Sequence, residues 1–107
     1  GAACLERVQR MGERQRVIDS FDLFVERAEF LSAGGMGSTQ LVELDLGEDS
    51  IIVEGRCIQL LTGDAVVRSK IIPLEMSTRN NELRSGSYIM KIGRTADGRF
   101  IINVERI

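Results

Sequence analysis

The chain has 107 residues, of which 43% are hydrophobic and 28% are charged, with a formal net charge of −2. This length suits one domain with its own core, and the composition excludes intrinsic disorder, collagen and a cysteine-rich scaffold. The slightly acidic balance offers no excess positive charge to a phosphate backbone, so no nucleic-acid partner is predicted. There is no histidine, which removes the commonest metal ligand and the commonest general base at neutral pH.

The first third of the chain predicts one long helix over residues 5–31. The segment contains no proline, and Gly12 is its only weak point. Apolar residues in its second half recur at the three-, four- and seven-residue spacings of a helix that buries one face. These residues are Val17, Ile18, Phe21, Phe24, Val25, Ala28 and Leu31.

The first half of this helix differs, because charged residues dominate it and only Leu5, Val8 and Met11 form a thin apolar stripe. We interpret it as a mostly solvated helix or as a seam for a partner helix. The whole helix spans about 40 Å, whereas a compact domain of this size is about 35 Å across. The charged half is therefore predicted to project beyond the domain, toward a partner, another copy or an anchor.

Glycines and serines in residues 32–38 predict the end of the helix, with a glycine in the left-handed conformation closing it. A phosphate-binding loop is disfavoured, since this segment follows a helix, precedes a strand and contains no lysine.

The remainder, residues 38–107, predicts five antiparallel strands in meander order. Residues 40–46 alternate between apolar and polar, as a half-buried strand does. Residues 51–61 change the parity of their apolar positions at Gly55, which predicts a bulge or bend there. Residues 65–76 predict a third strand, whose end Pro73 places at a sheet edge because proline cannot donate to a ladder.

The last two predicted strands follow a ten-residue polar loop, residues 77–86. Their core faces consist of Tyr88, Met90 and Ile92 and of Phe100, Ile102 and Val104. Together the elements predict an α+β fold, in which a long N-terminal amphipathic helix packs on a five-stranded antiparallel meander sheet. The helix and the β-domain form a single domain covering residues 1–107.

Catalytic chemistry is not indicated, and the chain is predicted not to be an enzyme. Asp45, Glu48 and Asp49 cluster near one turn, but their spacing does not match that of calcium ligands. Ser69 and Lys70 are adjacent in a strand and so point to opposite faces, where they cannot cooperate. Every aromatic residue except Phe30 lies on a predicted core face, which leaves no stacking platform for bases. We predict no catalytic, cofactor-binding or metal-ligating residue.

Cys4 and Cys57 are the only cysteines. They are either unrelated, with Cys57 a small apolar core residue, or joined by a disulfide in an extracytoplasmic setting. Two ligands are too few for a metal site.

The order of elements resembles that of the soluble part of type IV pilin-like proteins. More narrowly, residues 34–55 are similar to small archaeal secreted proteins of that class; they read Gly-Gly-Met-Gly-Ser-Thr-Gln-Leu-Val-Glu-Leu-Asp-Leu-Gly-Glu-Asp-Ser-Ile-Ile-Val-Glu-Gly. In those proteins a helix ends in glycine and serine before a strand of this kind. The resemblance implies an extracytoplasmic subunit that meets the membrane only through an N-terminal anchor removed from this chain.

Such a subunit would assemble with protein partners or with itself through its N-terminal helix, for which the candidate surface is Leu5, Val8, Met11 and Ile18. The alternative is a small soluble barrel-like binding module, located in the cytoplasm, in which the loop of residues 77–86 contacts an unidentified ligand or partner.

Overall fold

The computed structural model describes the backbone of residues 2–34 and 37–107, and the side chains of residues 14–34 and 37–107. Within these residues one α-helix precedes eight β-strands and one turn of 3-10 helix. The elements are α1 Ala2–Gly34, β1 Thr39–Leu44, β2 Ser50–Glu54, β3 Cys57–Thr62, β4 Ala65–Ile71, β5 Glu75–Thr78, the 3-10 turn Arg79–Asn81, β6 Glu82–Leu83, β7 Gly86–Arg94 and β8 Phe100–Arg106. The predicted α+β class is confirmed.

The strands form two four-stranded sheets. The first sheet has the order β1-β7-β8-β5 and is antiparallel except for the parallel pair β5 and β8. The second has the order β4-β3-β2-β6 and is antiparallel throughout. The predicted five-stranded meander is wrong, because the chain passes between the two sheets four times and so separates strands that are consecutive in sequence.

The inner faces of both sheets and one face of α1 share a single hydrophobic core. Alternation along β1 buries Val42 and Leu44, and Leu46 follows in the same phase, as predicted. The helix adds six buried residues, which are Val17, Phe21, Phe24, Val25, Ala28 and Leu31. Their spacing matches the amphipathic pattern, and α1 packs with this face against β1, β7 and β8 of the first sheet.

The change of parity at Gly55 comes from a β-hairpin and not from a bend within one strand. Glu54 pairs with Cys57, which leaves Gly55 and Arg56 as a two-residue turn between β2 and β3. Gly55 has φ +59°, a left-handed conformation that glycine adopts without steric cost. Since the chain reverses here, the apolar positions of both strands face the same core.

The predicted strand over residues 65–76 is two strands that belong to different sheets. β4 ends at Ile71, the buried Ile72 follows, and β5 begins only at Glu75. Pro73 lies in the break, where its missing N–H leaves no ladder bond unmade. Amides on both sides of the break donate to the turn between β2 and β3. Ile72 N–H donates to Arg56 O and Met76 N–H, in β5, donates to Gly55 O, both at 2.9 Å.

The prediction that Phe100 is buried on a core face is wrong. This residue is 40% exposed at the start of β8, where it pairs with Arg94. The Arg94 guanidinium carbon lies 5.1 Å from the centre of the phenyl ring, a geometry suited to a cation–π interaction. Alternation correctly placed Phe100 in the same set as the buried Ile102 and Val104, but Phe100 itself stays exposed.

The molecule is elongated along α1. Its principal extents are 59 × 24 × 21 Å, and its radius of gyration is 15.2 Å, against about 13 Å for a compact chain of 100 residues. A 33-residue helix is about 50 Å long. Helix length therefore sets the long dimension. The observed helix begins three residues before and ends three residues after the predicted range 5–31.

Candidate functional site

The N-terminal half of α1 contains most of the predicted assembly surface. The helix is continuous from Ala2, so Leu5, Val8 and Met11 lie on helical backbone, while their side chains lie outside the described residues. Ile18 is described: it is half-buried and packs against the margin of the core. Ile18 therefore marks the point where the candidate surface meets the folded β-domain.

Two polar contacts supplement the apolar packing of α1 on the first sheet. The Asp45 backbone N–H donates to Ser20 Oγ at 3.0 Å. Arg27 Nη1 donates to Gln40 Oε1 at 2.9 Å. The two helix residues lie two turns apart, so the contacts fix the rotation and the axial position of the helix as well as its distance from β1.

The helix leaves the β-domain beside the turn that connects β1 to β2. Arg14 and Arg16 on the helix and Asp45, Glu48 and Asp49 on the turn line an open cleft of about 810 Å³. These carboxylates are the cluster for which the sequence predicted no calcium site. They place negative charge beside the basic residues at the point where α1 begins to project, which favours this exit direction electrostatically.

Positive and negative charges are distributed unequally along the chain. Residues 1–16 contain four arginines and two glutamates, a net charge of +2, whereas residues 17–107 contain ten basic and fourteen acidic residues, a net charge of −4. Part of the acidic excess is an exposed stripe on α1 at helical spacing, which consists of Asp19, Asp22, Glu26 and Glu29. The projecting half of the helix is therefore basic and the rest of the molecule is acidic.

A groove of about 470 Å³ separates α1 from β4, the terminal strand of the second sheet. Phe21 and Val25 form its apolar floor. Arg68 Nη1 lies 3.8 Å from Asp22 Oδ1 across the groove, and both side chains are about half exposed. The remaining lining residues are Glu26, Glu29, Ser69 and Lys70.

A second cleft, of about 720 Å³, lies beside the loop of residues 77–86 that the sequence singled out. Leu83, Tyr88 and Val104 are buried at its base. Three arginines and two glutamates line its rim; they are Arg79, Arg84, Arg106, Glu82 and Glu105. The cleft therefore offers a small positive excess to a ligand.

Tyr88 fixes the end of this loop. Its hydroxyl donates to Arg84 O at 2.8 Å and accepts from Arg84 N–H at 3.2 Å. Arg84 Nε donates to Glu82 Oε1 at 2.6 Å, and Arg106 Nη2 donates to Ser85 O at 3.3 Å. Two of the three arginines are thus committed to the protein itself.

The same loop contains two successive asparagines in the left-handed conformation. Asn80 has φ +59° and Asn81 has φ +55°. Asparagine tolerates this region better than most residues with a Cβ, but the conformation still carries strain. Asn80 lines the cleft and Asn81 does not, so part of this strain lies beside the cleft.

Asp97 is the one described carboxylate with a resolved change of pKa. The hydroxyl of Thr95 donates to Asp97 Oδ1, and Arg99 Nε donates to Asp97 Oδ2 at 2.9 Å. The Thr95 hydrogen bond first, and then the hydrogen bond and charge of Arg99, hold the pKa of Asp97 below its usual value. This network closes the β7–β8 turn, and we assign it a structural role.

Cys57 has a free thiol, half-buried on the outer face of β3. Its Sγ lies 3.5 Å from Ser69 Oγ on the neighbouring strand. The side chain of Cys4, the second cysteine of the sequence, lies outside the described residues. Among the residues that the structure does describe, no group of three or more Cys, Asp and Glu side chains could hold a metal ion.

Sequence reasoning missed the groove beside β4 and placed only the end of the strand near Pro73 at a sheet edge. Residues 65–76 were interpreted as one strand of a meander, whereas the whole of β4 is a terminal strand. The alternating charges at Arg68 and Lys70 were the available signal, since charged residues on a core-facing parity are typical of an edge strand.

Comparison of the chain with protein-family models, with curated proteins and with solved structures found no match. In the part of the chain that the structure describes, no helix is both long enough and apolar enough to cross a membrane.

Proposed function

We propose that this chain is the non-catalytic, extracytoplasmic part of a membrane-anchored, pilin-like structural or assembly subunit. The observation that carries the proposal is that α1 is much longer than the part of it that packs on the β-domain. The helix runs over 33 residues from Ala2 to Gly34, while its buried residues among those described extend from Val17 to Leu31. Some fifteen residues of helix thus precede the first described core residue.

A projecting helix of this kind suits assembly because its helical conformation continues from the second half of α1, which is held in place by packing on the β-domain. An isolated helix of about 15 residues is marginal in water, so the energetic cost of starting a helix is met here by the packing of its second half. A neighbour that binds the projecting half then orders only side chains. The candidate contact residues are Leu5, Val8, Met11 and Ile18.

The charge distribution gives this proposed assembly a direction. The basic projecting half of one copy is attracted to the acidic remainder of another, and repelled by the basic half of that copy. Head-to-tail association is therefore favoured over association of two projecting halves. Such heterologous contacts close into a ring or continue into a filament.

The assembly surface is tested with the substitutions Leu5→Glu, Val8→Glu and Met11→Glu together, followed by sedimentation velocity over a concentration series. We expect the unmodified chain to associate as concentration rises and the triple variant to remain closer to a monomer. The matched control is the triple variant Phe30→Glu, Leu41→Glu and Ile107→Glu, which introduces the same three charges at apolar residues that are 63–73% exposed. Equal association of the triple variant and the control would overturn the proposal.

The location is tested separately, with the natural gene product in intact cells. External protease should degrade an extracytoplasmic domain, and the protein should sediment with membranes until detergent is added. A protected, freely soluble product would instead favour the cytoplasmic alternative.

One observation favours that alternative, a small soluble binding module: Asn80, one of the two strained asparagines, lines the arginine-lined cleft. Strain that persists in a fold is often found where a ligand is bound. The test is an NMR titration of backbone amides with inorganic phosphate and with citrate. Saturable shifts confined to residues 77–86 and Arg106 would support a binding module, and an unchanged spectrum would remove the reason for it.

A further inference from the structure

β4 is the terminal strand of its sheet. Among the described residues it pairs with β3 alone, so its other edge has no strand partner there. Six of its seven residues are exposed. An exposed edge of this length presents a row of free N–H and C=O groups, which is a template for pairing with another strand.

The outer face of β4 displays two exposed apolar side chains, one near each end. Val66 is 52% exposed and Ile71 is 68% exposed. They pair with Leu61 and Cys57 of β3, whose inner-facing neighbours Ile58 and Leu60 are buried. Val66 and Ile71 therefore both point away from the core, although they lie an odd number of positions, five, apart in the sequence.

A β-bulge explains how two residues of opposite parity share one face. Leu60 pairs with Arg68 and Leu61 pairs with Val66, so Val67 is the extra residue. Counting Val67 and Arg68 as one position makes the strand symmetric about Ser69. Val66 then lies two positions before Ser69 and Ile71 lies two positions after it.

We propose that β4 pairs with β4 of a second copy in antiparallel orientation, about a two-fold axis at Ser69. This register places Val66 of each copy opposite Ile71 of the other, on the outer face, and Ser69 opposite Ser69. The two second sheets then form one continuous eight-stranded sheet. The interface is isologous, since the same surface is used on both copies.

The inner face of β4 carries Arg68 and Lys70, which would approach the same residues of the second copy. Inward charges of one sign normally protect an edge strand from pairing. Here the groove against α1 supplies Asp22, Glu26 and Glu29 beside them, and only Asp22 has a partner within 4 Å among the described residues. In each copy these three carboxylates lie beside the two cationic side chains of β4. Their negative charge compensates the repulsion between the cations of the two copies.

The contact is small, because it joins two seven-residue strands. It belongs with weak interfaces that bury less than about 1,200 Å², and dissociation in the micromolar range or weaker is expected. It does not use the projecting half of α1. It therefore goes beyond the proposed function. It is tested with Leu5→Glu, Val8→Glu and Met11→Glu already in place, so that any dimer observed depends on β4 and not on the proposed helix surface.

The register is tested first by disulfide trapping. With Cys4→Ser and Cys57→Ser also present, Ser69→Cys places two thiols across the two-fold axis, where directly opposed Cβ atoms lie about 4.5–5.5 Å apart. We expect mild oxidation to give a covalent dimer. The matched control is Ser77→Cys, an exposed position on β5, one of the two terminal strands of the other sheet. Equal cross-linking at both positions would overturn the proposal.

The second test uses the reciprocal pair on the outer face. Either Val66→Lys or Ile71→Glu alone should weaken dimerisation by about two- to thirtyfold, because each alters two symmetric cross-strand pairs. The two substitutions together restore complementary pairs and should recover the dimer. Phe30→Lys, at an apolar residue that is 63% exposed on α1, serves as control. A monomer at every concentration, or a double variant weaker than both single variants, would contradict the register.

Discussion

At the scale of the residue, the two phenylalanines near the end of α1 illustrate what sequence spacing can predict. Phe24 shares the helical face of Phe21 and Ala28 and is fully buried, whereas Phe30 lies off that face and is 63% exposed. Spacing predicted both. It did not predict the exposure of Phe100, because periodicity assigns a face but does not say whether another layer covers it.

Phe24→Ala should destabilise the fold by about 3–5 kcal/mol, since it removes a fully buried ring and leaves a cavity. Denaturant unfolding followed by circular dichroism measures the change. Phe30→Ala is the control and should change the free energy of unfolding by no more than about 0.5 kcal/mol. Similar losses for the two variants would show that the packing of α1 described here is incorrect.

The Asp97 network makes a pH-dependent contribution at the β7–β8 turn. The pKa of Asp97 is lowered from the ordinary value of 3.8, so its contribution is present above that pH and is lost as pH falls through the lower folded pKa. Asp97→Asn should therefore reduce stability at neutral pH, and the difference from the unmodified chain should shrink as the pH falls below 3.8 and through the lowered folded pKa. Unfolding curves from pH 2 to 7 measure it; a difference that grows toward acid would contradict the assignment.

At the scale of the element, the turns and not the strands limited what the sequence could predict. Alternation identified the apolar faces of β2 and β3, but a bend and a hairpin change parity in the same way. Only the backbone at Gly55 distinguishes them. Similarly, residues 77–86 were predicted as one polar loop, whereas they contain the 3-10 turn and β6. Polar composition does not specify the left-handed pair Asn80 and Asn81.

Asn80→Val should cost about 1–2 kcal/mol, because a β-branched residue is poorly accommodated at positive φ. Asn80→Gly should be neutral or slightly stabilising. Asn103→Val, at an exposed position within the regular strand β8, is the matched control and should be nearly neutral. Thermal unfolding ranks the three, and an Asn80→Val variant as stable as the Asn103→Val control would contradict the left-handed conformation.

At the scale of the whole molecule, sheet topology could not be derived from the sequence. Hydrophobic alternation indicates which face of a strand is buried but not which strand lies beside it. The sequence pattern therefore contains no indication that β5 and β8 pair in parallel. The overhang of α1 could be predicted, because helix length and domain diameter follow from residue number alone. The candidate assembly surface Leu5, Val8 and Met11 stays a prediction.

Deleting residues 1–13 should leave the β-domain folded, because the buried helix residues of the described part begin at Val17. We expect the midpoint of thermal unfolding to move by less than about 5 °C, which corresponds to roughly 1 kcal/mol in a chain of this size. Calorimetry provides the measurement. Failure of the shortened chain to fold would show that the projecting half stabilises the domain itself.

The central claim, that the charged half of α1 projects and mediates assembly, is tested most directly by small-angle X-ray scattering with in-line light scattering. The sample is the 107-residue chain with Val66→Lys, which weakens the proposed β4 contact. We predict a maximum dimension of at least 59 Å at the dilute limit and a mass that exceeds one chain as concentration rises. A monomer at every concentration, with a maximum dimension near 35 Å as for a compact domain of this size, would contradict the claim.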